Sequence, residues 1–151
     1  MPVSDTDLTI IRPLELDRWS DALTLLSNAG LPTADIEQNQ IGEFLVVLGQ
    51  GRVLGMIGLQ CFGPCALLRS LVVDENVRGS GLGARLVADL EAKALAQDVQ
   101  ELWLLTIDAN AFFERLGYRV ANRESAPISI AASREFAELC PADAFLMTKR
   151  L

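Results

Sequence analysis

The sequence predicts an α/β (α+β) fold with a mixed sheet of about six to seven strands flanked by helices, and three observations carry that prediction. Short apolar runs alternate with segments whose apolar residues recur every three or four positions. Glycines and prolines punctuate the boundaries between them. A glycine-rich stretch, Arg78-Gly79-Ser80-Gly81-Leu82-Gly83, lies between an apolar run and a helical one. With 151 residues, half of them hydrophobic, the expectation is one domain spanning residues 1–151 with a substantial core.

Leu8 to Arg12 reads as a first strand. Leu16, Trp19, Leu23 and Leu26 then fall at helical spacing, and Gly30 followed by Pro32 ends that helix. Pro32 to Gln40 is a polar connection with room for a short helix. Phe44 to Leu48 and Val53 to Leu59 flank Gly49-Gln50-Gly51-Arg52, a hairpin pattern. Cys61-Phe62-Gly63-Pro64 is expected to turn the chain into a strand over 66–73. Leu82, Leu86, Val87, Leu90 and Ala94 make the apolar stripe of the next helix. Leu102-Trp103-Leu104-Leu105 is apolar throughout, as a strand buried on both faces would be. Ala109, Phe112, Phe113 and Leu116 suit a short helix stopped by Gly117. A short strand over 118–121, a helix over 128–139 behind Pro127, and a closing strand over 144–149 complete the series.

Composition excludes several classes of function. The net charge is −7, which opposes nucleic acid and anionic membrane as partners. Without a single histidine, Ser-His-Asp and Cys-His catalysis are excluded, and no metal site is expected. Met1 to Asp7 is acidic and lacks the basic start and apolar middle of a signal peptide, and no apolar run approaches membrane-spanning length. The expected location is cytoplasmic. Three cysteines, Cys61, Cys65 and Cys140, do not make a disulfide framework. Three thiolates suit trivalent arsenic, but small apolar side chains in a packed core account for them more simply.

The glycine loop points to a phosphorylated ligand. Strand, glycine loop and helix start together present backbone N–H groups and a partial positive charge to an anion. A P-loop would carry a lysine after the glycines, and here there is none. A dinucleotide fingerprint needs Gly-x-Gly-x-x-Gly, whereas these glycines fall at 79, 81 and 83. Arg-x-x-Gly-x-Gly after an apolar strand is similar to the pyrophosphate loop of the GNAT acetyltransferase superfamily. Phe112-Phe113-Glu114-Arg115-Leu116-Gly117-Tyr118 resembles a second signature of that superfamily, about thirty residues downstream. The element order is similar to the GNAT fold along nearly the whole chain.

That resemblance implies a sheet splayed between strands 4 and 5, acetyl-CoA as cosubstrate, and direct attack of a small-molecule amine on the thioester. It also implies that Leu71 and Val73 offer backbone groups to the pantetheine arm. Arg78, Gly79, Ser80, Gly81, Leu82, Gly83 and Ala84 would then cradle the pyrophosphate. Thr106 stands where the family often has asparagine, and Phe113 where many members have a proton-donating tyrosine; both are expected to line the cofactor. The backbone N–H near Val73 is the expected oxyanion donor. Asp108, Glu43 and Glu37 are candidates for relaying the amine's proton through water, with Asp108 the first choice and solvated surface carboxylates the plainer reading.

Leu31 to Asp35, Leu67 to Leu71, Leu104 to Thr106 and Glu135 to Pro141 look like the arsenic-resistance N-acetyltransferase branch. The acceptor it implies is an amino-acid-like arsenic or phosphinic compound. Arg69, a charge inside an apolar strand, is the candidate to hold such an acceptor's anionic group, with a fold-fixing internal ion pair the alternative. A domain that binds acetyl-CoA or a metalloid without turnover is the alternative function. A homodimer would cover an exposed edge strand, although no residue pattern specifies one.

Overall fold

The computed structural model describes residues 10–134, 136, 137 and 143–151. Seven strands form one mixed sheet: β1 (Ile10–Pro13), β2 (Phe44–Gly49), β3 (Arg52–Phe62), β4 (Cys65–Val73), β5 (Glu101–Thr106), β6 (Arg119–Ala121) and β7 (Phe145–Arg150). Their order across the sheet is β1-β2-β3-β4-β5-β7-β6. Helices α1 (Trp19–Asn28), α2 (Leu82–Ala96), α3 (Asn110–Arg115) and α4 (Ile128–Ala131) connect them. β4 and β5 pair in parallel, which needs a crossover, and α2 supplies it. Among the described residues no helix is long and apolar enough to cross a membrane. By contact density the chain divides into two compact units, residues 1–58 with 70–90, and residues 59–69 with 91–151.

In the first unit, β1 and β3 both pair antiparallel with β2. Gln50 and Gly51, at φ 54° and 72°, make the two-residue hairpin loop that matches strand twist. The β2–β3 register skips from Val47↔Gly55 to Leu48↔Val53, leaving Leu54 as an extra residue on β3. A core of Leu14, Trp19, Ala22, Leu26, Phe44, Val46, Val53, Met56 and Val72 packs there. Leu16 does not join it and is 64% exposed, because residues Leu16–Arg18 form a separate 3-10 turn ahead of α1. The backbone leaves the helical region at Arg18, φ −108° and ψ 3°, so the phase of α1 does not extend back to Leu16.

In the second unit, β5 lies between β4 and β7, and β7 carries the edge strand β6. The β4–β5 ladder pairs Cys65↔Glu101, Ala66↔Leu102 and Leu67↔Trp103. Leu102, Trp103 and Leu104 are buried, while Leu105 and Thr106 are half-buried, so the double-sided burial read from the apolar run applies to its first three residues. Leu67, Trp103, Ile130 and Leu146 form the core. Thr148, buried in β7, satisfies its hydroxyl by donating to the Leu102 carbonyl at 2.8 Å.

Several boundaries differ from expectation. The first strand begins, within the described residues, at Ile10 and runs to Pro13. Cys61 and Phe62 continue β3, so the turn into β4 tightens to Gly63 and Pro64. The polar connection ends in a 3-10 turn at Gln38–Glu43, whose start is held by the Glu37 N–H donating to Gln40 Oε1 at 2.7 Å. The helix expected over 128–139 is interrupted: it is α-helical over Ile128–Ala131, breaks at Ala132 and Ser133, and is helical again at Arg134, where the Ala137 N–H donates to the Ser133 carbonyl at 2.9 Å. Ser133 donates its hydroxyl to the Ile130 carbonyl and accepts the Phe136 N–H, closing the first segment and capping the second. Residues 135, 138 and 139 lie outside the described residues.

Phe44, 1% exposed, is the largest fully buried side chain of the first core. Phe44→Ala is expected to lower unfolding free energy by about 3 to 5 kcal/mol, read from the midpoint of chemical denaturation. A change under about 1 kcal/mol would mean that this core is not packed as described.

Candidate active site

The first unit contains the strand end, loop and helix start read as a phosphate cradle. β4 ends at Val73, and the Asp74 N–H donates to the carbonyl of the bulged Leu54 at 2.8 Å. Asp74 Oδ1 accepts the Asn76 N–H at 2.9 Å, an Asx-type turn that starts the 3-10 segment Glu75–Val77. Arg78 Nε donates back to the Val73 carbonyl at 3.2 Å, and the Ser80 hydroxyl donates to the Val77 carbonyl. The loop is therefore shaped mostly by side chains.

Gly79 and Gly81 sit at φ 82° and 81°, a left-handed region that costs any residue with a Cβ. From Gly81 the chain turns directly into α2, where the Arg85 N–H donates to the Gly81 carbonyl at 3.1 Å. That bond is the first of the helix, so the N–H groups of Leu82, Gly83 and Ala84 precede its hydrogen-bond ladder. They are directed along the axis with the positive end of the helix dipole. Arg78 and Arg85 are both exposed beside this helix start.

A cleft of about 220 Å³ runs from the strand end to the loop, lined by Val72, Val73 and Arg78 and by Leu25 and Asn28 of α1. Thus Val73 and Arg78, expected at opposite ends of a bound thioester arm, border one cleft. Leu71 is half-buried two residues before Val73. The sequence reading missed Leu25, Asn28 and Asp74. The Asp74-x-Asn76 turn signal and the i, i+3 spacing of Leu25 and Asn28 were visible, but neither says which face of a helix meets a strand end.

Thr106, Asp108, Phe113 and Arg69 belong to the second unit. Thr106 Oγ1 accepts the Ala109 N–H at 3.0 Å, which braces the turn into α3. Asp108 is exposed in that turn. Phe113 is buried, in edge contact with Phe112 at 5.0 Å and Tyr118 at 5.4 Å, so its ring is committed to packing. Arg69 is 5% exposed and engaged by other groups. Ser70, also buried, takes φ 59°, which interrupts strand alternation next to Arg69. Glu37 is exposed and Glu43 half-buried, both in the first unit.

Two polar clusters in the second unit escaped the sequence reading. Tyr118 donates its hydroxyl to Glu91 Oε2 at 2.9 Å, and Lys149 Nζ donates to the same oxygen at 2.9 Å and to the Leu116 carbonyl at 2.8 Å. Burial first, then the charge and hydrogen bond of Glu91, raise the Tyr118 phenol well above its ordinary value of 10.0. Cys65 donates its thiol to Glu101 at 3.4 Å, an oxygen that also accepts the Trp103 indole N–H at 3.0 Å. Burial and the same carboxylate push the Cys65 thiol up, which disfavours the thiolate that arsenic binding needs. Cys140 lies outside the described residues. Among the described residues, no three His, Cys, Asp or Glu side chains are grouped to hold a metal ion.

Residues 40–120, more than half of the chain, match the family model of the acetyltransferase (GNAT) domain. The chain belongs to the GNAT acetyltransferase family. It is an N-acetyltransferase domain of the kind that uses acetyl-CoA as cosubstrate. An uncharacterized N-acetyltransferase of Chlorobaculum tepidum is 29% identical over 134 residues, 86% of each chain. An amino-acid acetyltransferase of Ectopseudomonas mendocina is 27% identical over 100 residues, 65% of this chain but 23% of that protein. The N-acetylglutamate synthase of Neisseria gonorrhoeae, solved with coenzyme A and N-acetyl-glutamate, superposes with a TM-score of 0.83 at 20% identity. That match covers 95% of this chain and 35% of the synthase. A Mycobacterium tuberculosis protein solved with CoA gives a TM-score of 0.77 at 20% identity, over 94% of this chain and 99% of that one.

Two measurements test this GNAT site. Gly81→Val is expected to weaken acetyl-CoA binding at least about tenfold in titration calorimetry, because a β-branched residue resists the left-handed conformation. Unchanged affinity would remove the loop from the donor site. Tyr118 is the single tyrosine, so its ionisation can be followed by absorbance near 295 nm. A phenol raised in the folded state contributes stability that is whole below its unfolded value and is lost as pH climbs above it. Phenolate should therefore appear only with alkaline unfolding, and titration near pH 10 in the folded protein would contradict the buried Glu91 contact.

Proposed function

We propose that this GNAT domain transfers the acetyl group of acetyl-CoA to the primary amine of a small amino-acid-like acceptor. The observation that carries the donor half is the loop of residues 78–84 at the N-terminus of α2, with Gly79 and Gly81 left-handed and the first helical amides ahead of the ladder. Support for an amino-acid-like acceptor comes from similarity to the amino-acid acetyltransferase of Ectopseudomonas mendocina, of which this chain spans 23%. Within that class, the branch resemblance favours an arsenic-containing or phosphinic amino acid. The two compact units act, in this reading, as one catalytic domain, because β3, β4 and α2 each pass from one unit into the other.

The chemistry is direct. The neutral amine attacks the thioester carbonyl, charge develops on its oxygen, and coenzyme A leaves as the thiolate. We assign the oxyanion contact to the Val73 N–H and the pyrophosphate to Arg78, Gly79, Ser80, Gly81, Leu82, Gly83 and Ala84. Arg78 supports both, since its Nε bonds the Val73 carbonyl while its terminal nitrogens remain as donors. Thr106 and Phe113 are assigned to the wall of the donor site, Thr106 through its hydroxyl and Phe113 through packing. Asp108, exposed in the turn before α3, is the carboxylate assigned to pass the amine's proton to water. Tyr118 is excluded as the acid by its raised phenol and its bond to Glu91. Phe113 has no proton to give, so water reprotonates the thiolate, a fair leaving group. The deep burial of Arg69 favours an internal ion pair over direct contact with the acceptor's anionic group.

Thiol release from acetyl-CoA, followed across amino acids, their phosphinic and arsenic analogues, polyamines and short peptides, tests the reading. Turnover is expected with the amino-acid-like amines and concentrated in the phosphinic and arsenic members. Turnover with peptides or polyamines alone would overturn the acceptor class. Silence across the whole panel, with acetyl-CoA bound, would make the domain a binding module.

A further inference from the structure

Asp74 stands at the root of the donor loop and is held from three directions within the first unit. Its backbone N–H donates to the carbonyl of Leu54, the extra residue that bulges out of the β2–β3 register. One carboxylate oxygen, Oδ1, accepts the Asn76 N–H at 2.9 Å. The other, Oδ2, accepts from Arg52 Nη2 at 3.0 Å. Arg52 is the first residue of β3 after the hairpin loop, and that loop is tied in turn to the start of α1, where Arg18 Nη1 donates to the Gly51 carbonyl at 2.6 Å. The Asp74 side chain is 14% exposed and that of Arg52 56%, so the carboxylate is sheltered and the guanidinium closes it from the solvent side.

This arrangement has a consequence for acetyl-CoA. Along the chain Val73 and the glycine loop are joined by residues 74–77, and the direction of that segment, together with the bond from Arg78 Nε to the Val73 carbonyl, sets where Arg78 and the amides of 82–84 stand. Asp74 offers the segment one backbone cap, which by itself leaves the carboxylate free to rotate among rotamers. Pairing Oδ2 with Arg52 selects the rotamer in which Oδ1 faces Asn76. We propose that Arg52 is a positioning residue for the donor site: through Asp74 it holds the 74–77 turn in the conformation that presents the pyrophosphate loop. Arg52 itself is not assigned contact with the reacting atoms. The proposal rests on residues 78–84 being the pyrophosphate site.

Acetyl-CoA and S-acetylpantetheine, a thioester lacking the pyrophosphate, separate a positioning role from a merely structural one. Binding of each is measured by titration calorimetry on the full chain, on Arg52→Gln, and on Arg52→Lys. The expected result is that Arg52→Gln raises the acetyl-CoA Kd about threefold to tenfold, as for loss of one partly exposed charge-assisted bond. S-acetylpantetheine affinity should be unchanged, and Arg52→Lys should recover most of the loss. High salt should shrink the difference between the native chain and Arg52→Gln, because the pair is partly exposed. Should Arg52→Gln fail to fold, Asp74→Asn keeps an oxygen for Asn76 while removing the charge, and is expected to give the same selective loss. Equal acetyl-CoA affinity in the native chain and the variant overturns the proposal, as does an equal loss for both thioesters. Absence of acetyl-CoA binding by the native chain overturns the pyrophosphate reading itself and the proposal with it.

Discussion

A phosphate cradle, as proposed for residues 78–84, must leave backbone donors unpaired, and that requirement shapes the loop within the first unit. Segments 78–84 cannot spend their N–H groups on a ladder and still present them to an anion. Such a loop has to be shaped by bonds that consume carbonyls and side chains. Arg78 bonds the Val73 carbonyl, Ser80 the Val77 carbonyl, and Asp74 caps its own turn. The β3 bulge contributes in the same way, by turning the Leu54 carbonyl toward Asp74. Strand irregularity and loop function are thus two sides of one accounting of hydrogen bonds.

The second unit solves a different problem with half-buried charge. Lys149 and Glu91 are brought together with a phenol and the Leu116 carbonyl, at the turn that follows α3. A partly solvated pair of this kind adds little net stability, so the cluster acts mainly by specifying the position of that turn. The tyrosine is consumed by this task. Its aromatic neighbour Phe113 stacks edge-on against it, which fixes α3 against the same turn.

How much of this was legible depended on whether the signal was local. Gly79, Gly81 and the strand before them carry their meaning in the immediate sequence, because left-handed backbone and an apolar run are local properties. The hairpin at Gln50 and Gly51 and the stripe of Leu82, Leu86 and Leu90 were readable for the same reason. Leu16 was misplaced because the backbone breaks at Arg18, between the 3-10 turn and α1, and composition carries no sign of that break. The Ser133 bonds that interrupt the helix begun at Ile128 compete with it on equal local terms, so periodicity alone could not choose. Glu91, Tyr118 and Lys149 are separated by 27 and 58 residues along the chain, and Arg52 from Asp74 by 22. Charges paired over such distances leave no pattern in a single sequence.

Proton traffic in this domain follows from what its acidic and basic groups are already doing. No histidine exists to act as base, the one tyrosine is bonded to Glu91, and the position where many relatives hold a proton donor is phenylalanine. In the reaction proposed above, water carries both protons, one from the amine and one to the departing sulfur. The thioester would then be activated by being held and by polarisation of its carbonyl through backbone amides and charge, more than by acid–base groups. On that proposal the geometry of the donor loop is itself the larger part of catalysis.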